Sequence, residues 1–167
     1  MDFMLTASNL KLKPITEDDM DALCQVYRST REKELATVWG WTDEEKQAFV
    51  LQQFLAQHTY YQNNYIGADF WILEKNGQCI GRLYVDWNFG SSSIRIIDII
   101  VLPAWQNQGI GTQILNDLIG EAKRKQFPLT IHVESFNPAK RLYERLGFKM
   151  ISETNGVYHL MEWKNTI

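Results

Sequence analysis

The sequence predicts a mixed α/β fold, one sheet with helices on its faces. Three observations predict it. Strand-like and helix-like stretches follow one another in the order β-α-α-β-β-β-α-β-α-β-β along the 167 residues. Asn76-Gly77 separates two apolar runs and marks a hairpin, because both turn positions tolerate positive φ. In the second half an apolar strand, a glycine-containing turn, a long amphipathic helix and another strand come in succession, which predicts a right-handed parallel crossover.

Each element has its own warrant. Residues 10–13 read as a short strand. Thr16 caps the helix that follows, and Glu17, Asp18 and Asp19 suit the positive end of its dipole. Met20, Leu23, Val26 and Tyr27 give that helix an apolar face. Thr42-Asp43-Glu44-Glu45 is a second capping box, and Phe49, Val50, Phe54 and Leu55 mark the apolar side behind it. Strands at 70–74 and 79–85 flank the hairpin turn, and the apolar run 94–102 reads as a strand covered on both faces. Ile110, Ile114, Leu115, Leu118, Ile119 and Ala122 form the buried stripe of the long helix. A strand at 129–133 follows. Asn137-Pro138 opens a short helix, with Asn as cap and Pro at the first helical position. Its inner face is Ala139, Leu142, Tyr143 and Leu146, and Gly147 ends it. Strands at 148–153 and 157–163, joined by the turn Asn155-Gly156, finish the chain.

Bulk properties narrow the function. The length suits a single domain over residues 1–167. A net charge of -3 advertises no basic face for nucleic acid or anionic lipid. No apolar stretch approaches the roughly 20 residues of a spanning helix. Residues 1–13 lack the pattern of a signal peptide, so a soluble cytoplasmic protein is expected by elimination. Cys24 and Cys79 form no metal-type pair and read as small core residues; no metal is expected.

The chemistry centres on Gln106-Asn107-Gln108-Gly109-Ile110-Gly111, between a strand and a helix. Helix N-termini carry unpaired N–H groups and partial positive charge, and so bind phosphates. Glycine at 109 and 111 permits close backbone approach. A plain turn is the other reading of these residues taken alone. Neither a P-loop nor a full dinucleotide fingerprint is present.

The stretch Val101-Leu102-Pro103-Ala104-Trp105-Gln106-Asn107-Gln108-Gly109-Ile110-Gly111 resembles the acetyl-CoA signature of the GNAT N-acetyltransferases, Q/R-x-x-G-x-G/A after a strand. Asn137 to Phe148 resembles the family's second motif, in the expected order. The resemblance implies the GNAT-like acyl-CoA N-acyltransferase fold: a twisted mixed sheet with splayed middle strands and about four flanking helices. It implies acetyl-CoA as cosubstrate. Ile99, Ile100 and Val101 would pair with the pantetheine arm, an exposed strand edge taking an extended ligand. Gln106, Asn107, Gln108, Gly109, Ile110, Gly111 and Thr112 would surround the pyrophosphate, and Asn137, Ala139 and Tyr143 would meet the pantetheine arm and its sulfur.

The resemblance also makes Tyr143 the general acid. A phenol, with an ordinary pKa of about 10, stays protonated at neutral pH and can donate to a departing thiolate. A backbone N–H at Ile99 or Ile100 would hold the oxyanion. Asp98 and His132 are both candidates for the base; ordinary values of about 3.9 and 6.5 favour His132. Asp98 would instead orient His132 or bind the substrate ammonium, and Glu134 should share a face with His132. Trp39, Trp41, Tyr60, Tyr61, Tyr65, Trp87 and Phe89 are candidates to line the acceptor site, with Glu32, Glu34 and Asp86 as counter-charges. The expected reaction is acetyl transfer to a primary amine of a small molecule or peptide. A CoA-binding module without catalysis is the alternative, and a homodimer stays open.

Overall fold

The computed structural model describes residues 3–165; Met1 and Asp2, at the start of the stretch read for a leader, lie outside it. Seven strands form one sheet in the order β1-β2-β3-β4-β5-β7-β6. They are β1 (Leu10–Pro14), β2 (Asp69–Lys75), β3 (Gln78–Phe89), β4 (Ser93–Val101), β5 (Leu129–Glu134), β6 (Lys149–Thr154) and β7 (Tyr158–Trp163). The helices are α1 (Met20–Ser29), α2 (Glu32–Ala36), α3 (Asp43–Asn64), α4 (Ile110–Lys125) and α5 (Ala139–Arg145). The β4/β5 pair is parallel, as a strand–helix–strand crossover requires, and the other pairs are antiparallel.

Local chemistry accounts for most boundaries. Thr42 and Glu45 form the expected capping box, with reciprocal bonds of 3.1 and 3.2 Å. At Thr16 the acid does more: Asp19 accepts from the Thr16 N–H at 2.8 Å, and a 3-10 turn at Glu17–Asp19 precedes α1. Asn76 and Gly77 both have positive φ, 53° and 77°, in the β2–β3 turn. The Asn137 side chain accepts from the Ala139 N–H at 2.9 Å and so caps α5.

Three features depart from the sequence reading. Helix α2 was not expected: its five residues bury only Leu35, so no periodicity betrays it. Phe49 and Leu55 of α3 are exposed while Val50 and Phe54 are buried, because a long helix on a sheet buries a narrow stripe. The third is β4, expected to be covered throughout. It is buried at Ile94–Ile96 but only half-buried from Ile97 to Val101.

Two apolar clusters sandwich the sheet. One joins α4 and α5 to Leu83, Val85, Ile94, Ile96, Ile131 and Val133; the other joins α1 and α3 to Ile72 and Tyr84. Gly81 locks β3 against β4. A Cβ there would overlap the Ile100 carbonyl oxygen and approach the Val101 Cα to 3.1 Å, and backbone cannot move aside as a side chain can. Gly81→Ala is therefore expected to cost about 3 kcal/mol or more, the upper range for one substitution. Urea denaturation measures it; a midpoint equal to that of the parent protein would contradict this packing.

Candidate functional site

The site begins where the sheet stops pairing. Strands β4 and β5 are in register only at Ile94–Leu129, Arg95–Thr130 and Ile96–Ile131. Beyond that, Tyr84 faces Asp98 and Val85 faces Ile96, which leaves Ile97 as an extra, bulged residue on β4. The strands diverge from there, and the last residues of β4 present a bare edge.

The phase of the antiparallel ladder decides which amides that edge offers. The Leu102 N–H donates to the Ile80 carbonyl at 2.8 Å. Alternation then directs the Ile100 backbone toward Arg82 on β3, and the Ile99 and Val101 backbones into the gap. The Ile100 amide, named above together with those of Ile99 and Val101, thus faces β3 and away from the gap. The Val101 carbonyl already accepts from Gln106 Nε2 at 2.8 Å. That leaves the Ile99 N–H and C=O and the Val101 N–H.

At the end of this edge stands the loop before α4. Gln106 and Gln108 tie it down: the Gln106 N–H donates to Pro103 O at 3.2 Å, and Gln108 Nε2 donates to Ala104 O at 3.2 Å. Gln106 therefore braces the loop through its Nε2. Asn107 and Gly109 take left-handed φ of 61° and 81°. No side chain caps α4, and its first turn closes with Gln113 N–H to Gly109 O at 3.0 Å. The N–H groups from Asn107 through Thr112 have no backbone acceptor among the described residues. Six free donors at the positive end of a sixteen-residue helix suit a pyrophosphate. At Gly111 a Cβ would meet only Leu142, at 3.6 Å, so the protein itself does not demand glycine there.

Tyr143 lies in α5, 5 % exposed, with its ring 5.7 Å from that of Phe148. Burial, then the charges of Asp98 and Glu134, push its phenol well above the usual value, so it holds its proton throughout the neutral range. Both carboxylates thus lie within electrostatic reach of one hydroxyl. Asn137 Nδ2 donates to Glu134 at 2.9 Å, which fixes the turn leading to α5. Ala139 is half-buried in the first turn of that helix.

The two base candidates have different surroundings. Asp98 accepts from Arg82 through Nε at 3.0 Å and also through Nη2, and Arg82 Nη2 bonds Gln57 at 2.7 Å. Arg82 is 1 % exposed, so Asp98 serves first as the partner of a buried cation. No hydrogen bond joins Asp98 to His132 among the described residues, and Asp98 does not orient the imidazole. His132 is largely exposed on β5. Partial burial of its ring and the nearby Arg95 charge lower its pKa below the ordinary 6.5, so it is neutral at pH 7.

The aromatic residues divide. Tyr61 stacks edge-on against Tyr65 and Tyr84, and Tyr65 meets Phe89 at 6.3 Å, forming a wall on the α3 side of the sheet. Trp87 belongs elsewhere: it packs on Phe3 and Trp71 in the opposite core and donates to Asp69 at 2.7 Å. Trp39 is 95 % exposed, while Trp41 pairs with Phe49 at the surface. Glu32 and Glu34 pair with Arg28 and Arg31 on the helix surface and are not set against the wall. The sequence reading missed Arg82 and Arg95. Their signal was a charged residue in the middle of an otherwise apolar strand, a position that needs a reason.

A bare strand edge leading to an uncapped helix is a cleft for an extended ligand with phosphates at one end. The acetyltransferase (GNAT) domain family matches residues 66–150, more than half of the sequence, and the chain belongs to that family. It is accordingly an acetyl-CoA-dependent N-acetyltransferase. Solved structures agree in fold. The PaiA N-acetyltransferase of Thermoplasma acidophilum, in complex with coenzyme A, is 17 % identical with a TM-score of 0.65, over 93 % of this chain and 99 % of its own. An acetyltransferase of Thermus thermophilus is 17 % identical with a TM-score of 0.67, covering 92 % and 96 %. A GNAT family acetyltransferase of Elizabethkingia anophelis with acetyl-CoA bound is 22 % identical with a TM-score of 0.56, covering 95 % and 99 %. No curated protein matches the sequence. Among the described residues no helix is long and apolar enough to cross a membrane.

The Asp98–Arg82 pair yields a stability prediction. Asp98→Ala strands a buried guanidinium and should cost about 3 kcal/mol. Urea denaturation reads this, and an unchanged midpoint would mean that Arg82 finds other partners.

Proposed function

We propose that the protein transfers the acetyl group of acetyl-CoA to a primary amine of a small molecule or peptide by direct attack in a ternary complex. Three observations support this reading: the Ile99 and Val101 edge left bare beside β5, the amides of 107–112 without backbone acceptors, and the buried, protonated Tyr143 within electrostatic reach of Asp98 on the same strand. Acetyl-CoA, bound as cosubstrate, supplies the acetyl group as an activated thioester.

The chain's residues divide the work. The amides from Asn107 through Thr112 hold the pyrophosphate, with Gln106 and Gln108 bracing their loop. Ile99 and Val101 pair with the pantetheine arm, and Asn137 and Ala139 border it from the α5 side. His132, neutral at pH 7, takes the proton that the acceptor ammonium must lose before its nitrogen attacks. As the C–N bond forms, the Ile99 N–H stabilises charge on the carbonyl oxygen. As the C–S bond breaks, the Tyr143 hydroxyl gives its proton to sulfur, and the proton still carried by the new C–N nitrogen passes back to the tyrosinate, leaving a neutral amide and a free thiol.

The test separates catalysis from binding. Tyr143→Phe should lower kcat by about 10²-fold or more, while calorimetry finds acetyl-CoA affinity within about threefold of the parent protein. An equal loss of affinity would make Tyr143 a packing residue. No acetyl-CoA binding by the parent protein would defeat the reading altogether. The pH dependence follows from His132. The base works only when neutral and its pKa is lowered, so the acid limb of kcat/KM should lie below 6.5 and should vanish in His132→Ala. An acid limb unmoved by that substitution removes His132 as the base.

A further inference from the structure

Arg95 has no role in the chemistry above. It lies on β4 two residues before the bulge at Ile97 and is 7 % exposed. Its side chain points to the α3 side of the sheet, where Nε donates to Thr130 Oγ1 at 2.9 Å and the guanidinium lies 4.1 Å from the Phe89 ring centroid. No carboxylate lies within 4 Å of it among the described residues. Asp86, opposite in register, instead accepts from the Asn88 N–H at 3.1 Å.

A largely buried guanidinium commonly has an anionic partner, as Arg82 has in Asp98. Neither Nη of Arg95 is an enclosed atom without a partner, so the end of its fork is open to solvent and to a ligand. Arg95 keeps only a hydroxyl and an aromatic face, which leaves the two Nη groups of its planar fork for a bidentate anion. Its place matters as much as its state. Thr130 and His132 are two apart on β5 and so share a face; Arg95 pairs with Thr130, and its charge is felt by His132. The spare cation therefore sits beside the residue assigned to deprotonate the amine.

We infer that Arg95 is a specificity residue that anchors a carboxylate, or an anion of like geometry, carried by the amine acceptor. This rests on the proposed amine acetylation. The acceptor is then an amino acid or a similar short amino-acid-like molecule, with its anion on Arg95 and its nitrogen toward His132. Simple amines and polyamines, which bring only positive charge to this guanidinium, are selected against.

The experiment compares acetyl-CoA turnover on three matched sets: amino acids, their carboxamides and aminophosphonates of the same side chain. Thiol release is read for the parent protein, Arg95→Met and Arg95→Lys. The parent should favour anionic acceptors over carboxamides by at least about tenfold in kcat/KM, equivalent to about 1.4 kcal/mol, as a charge-assisted pair supplies. Preference for carboxylates or for phosphonates names the anion, and either supports the assignment. Arg95→Met should raise KM for the anionic set, leave kcat within about threefold, and reduce the preference toward unity. Arg95→Lys should restore part of it. Equal use of carboxamides and anionic acceptors overturns the inference while leaving the acetyltransferase reading intact. So does a uniform loss on all acceptors with a fall in Tm, which would make Arg95 structural. Acetyl-CoA binding without turnover of any amine would overturn both.

Discussion

The structure depends on one interruption: strands β4 and β5 pair for three residues and then part. A parallel pair inside a sheet normally continues, because every unpaired N–H and C=O it exposes must find water or another partner. Here the bulge at Ile97 breaks the register, and Gly81 lets β3 hold the end of β4 closely where β5 no longer pairs with it. The cleft is thus built from backbone, and its polar edge at Ile99 and Val101 is a consequence of ladder phase rather than of side-chain identity.

Everything else is placed relative to that break. The end of β4 runs into the braced loop and the uncapped start of α4, so strand edge and helix N-terminus form one continuous polar track. Helix α5, capped by Asn137, sets Tyr143 within the influence of Asp98 and Glu134. On the other side of the sheet, Arg82 and Arg95 occupy adjacent strands with contrasting partners, one neutralised by Asp98 and one left with a hydroxyl and an aromatic ring. That contrast separates a cation that holds the fold from a cation that is available.

Much of this was legible in the sequence, and the reasons are physical. The α4 stripe from Ile110 to Ala122 is buried residue for residue, since six apolar positions at helical spacing have one way to pack. The hairpin turn and both caps followed from local chemistry that needs no tertiary context. The run from Ile97 to Val101 misled, because apolar residues along a half-exposed strand edge look like apolar residues in a core. Trp87 misled for the converse reason: its neighbours in sequence alternate between the two faces of β3, and one residue of shift changes sides. The alternation that sends the Ile100 amide to β3 was invisible, because it is fixed by pairing across the sheet. The pairing of Arg82 and the isolation of Arg95 are likewise set by residues distant in sequence.

The proposed reaction requires the parted strands and the start of α4 to form a single acetyl-CoA track. Amide hydrogen exchange with and without saturating acetyl-CoA tests it most directly. Slowed exchange is expected at Ile99, Val101 and 107–112 together, with Ile100, already turned toward β3, little changed. Protection confined to other strands, or absent from 107–112 while the ligand is bound, would contradict it.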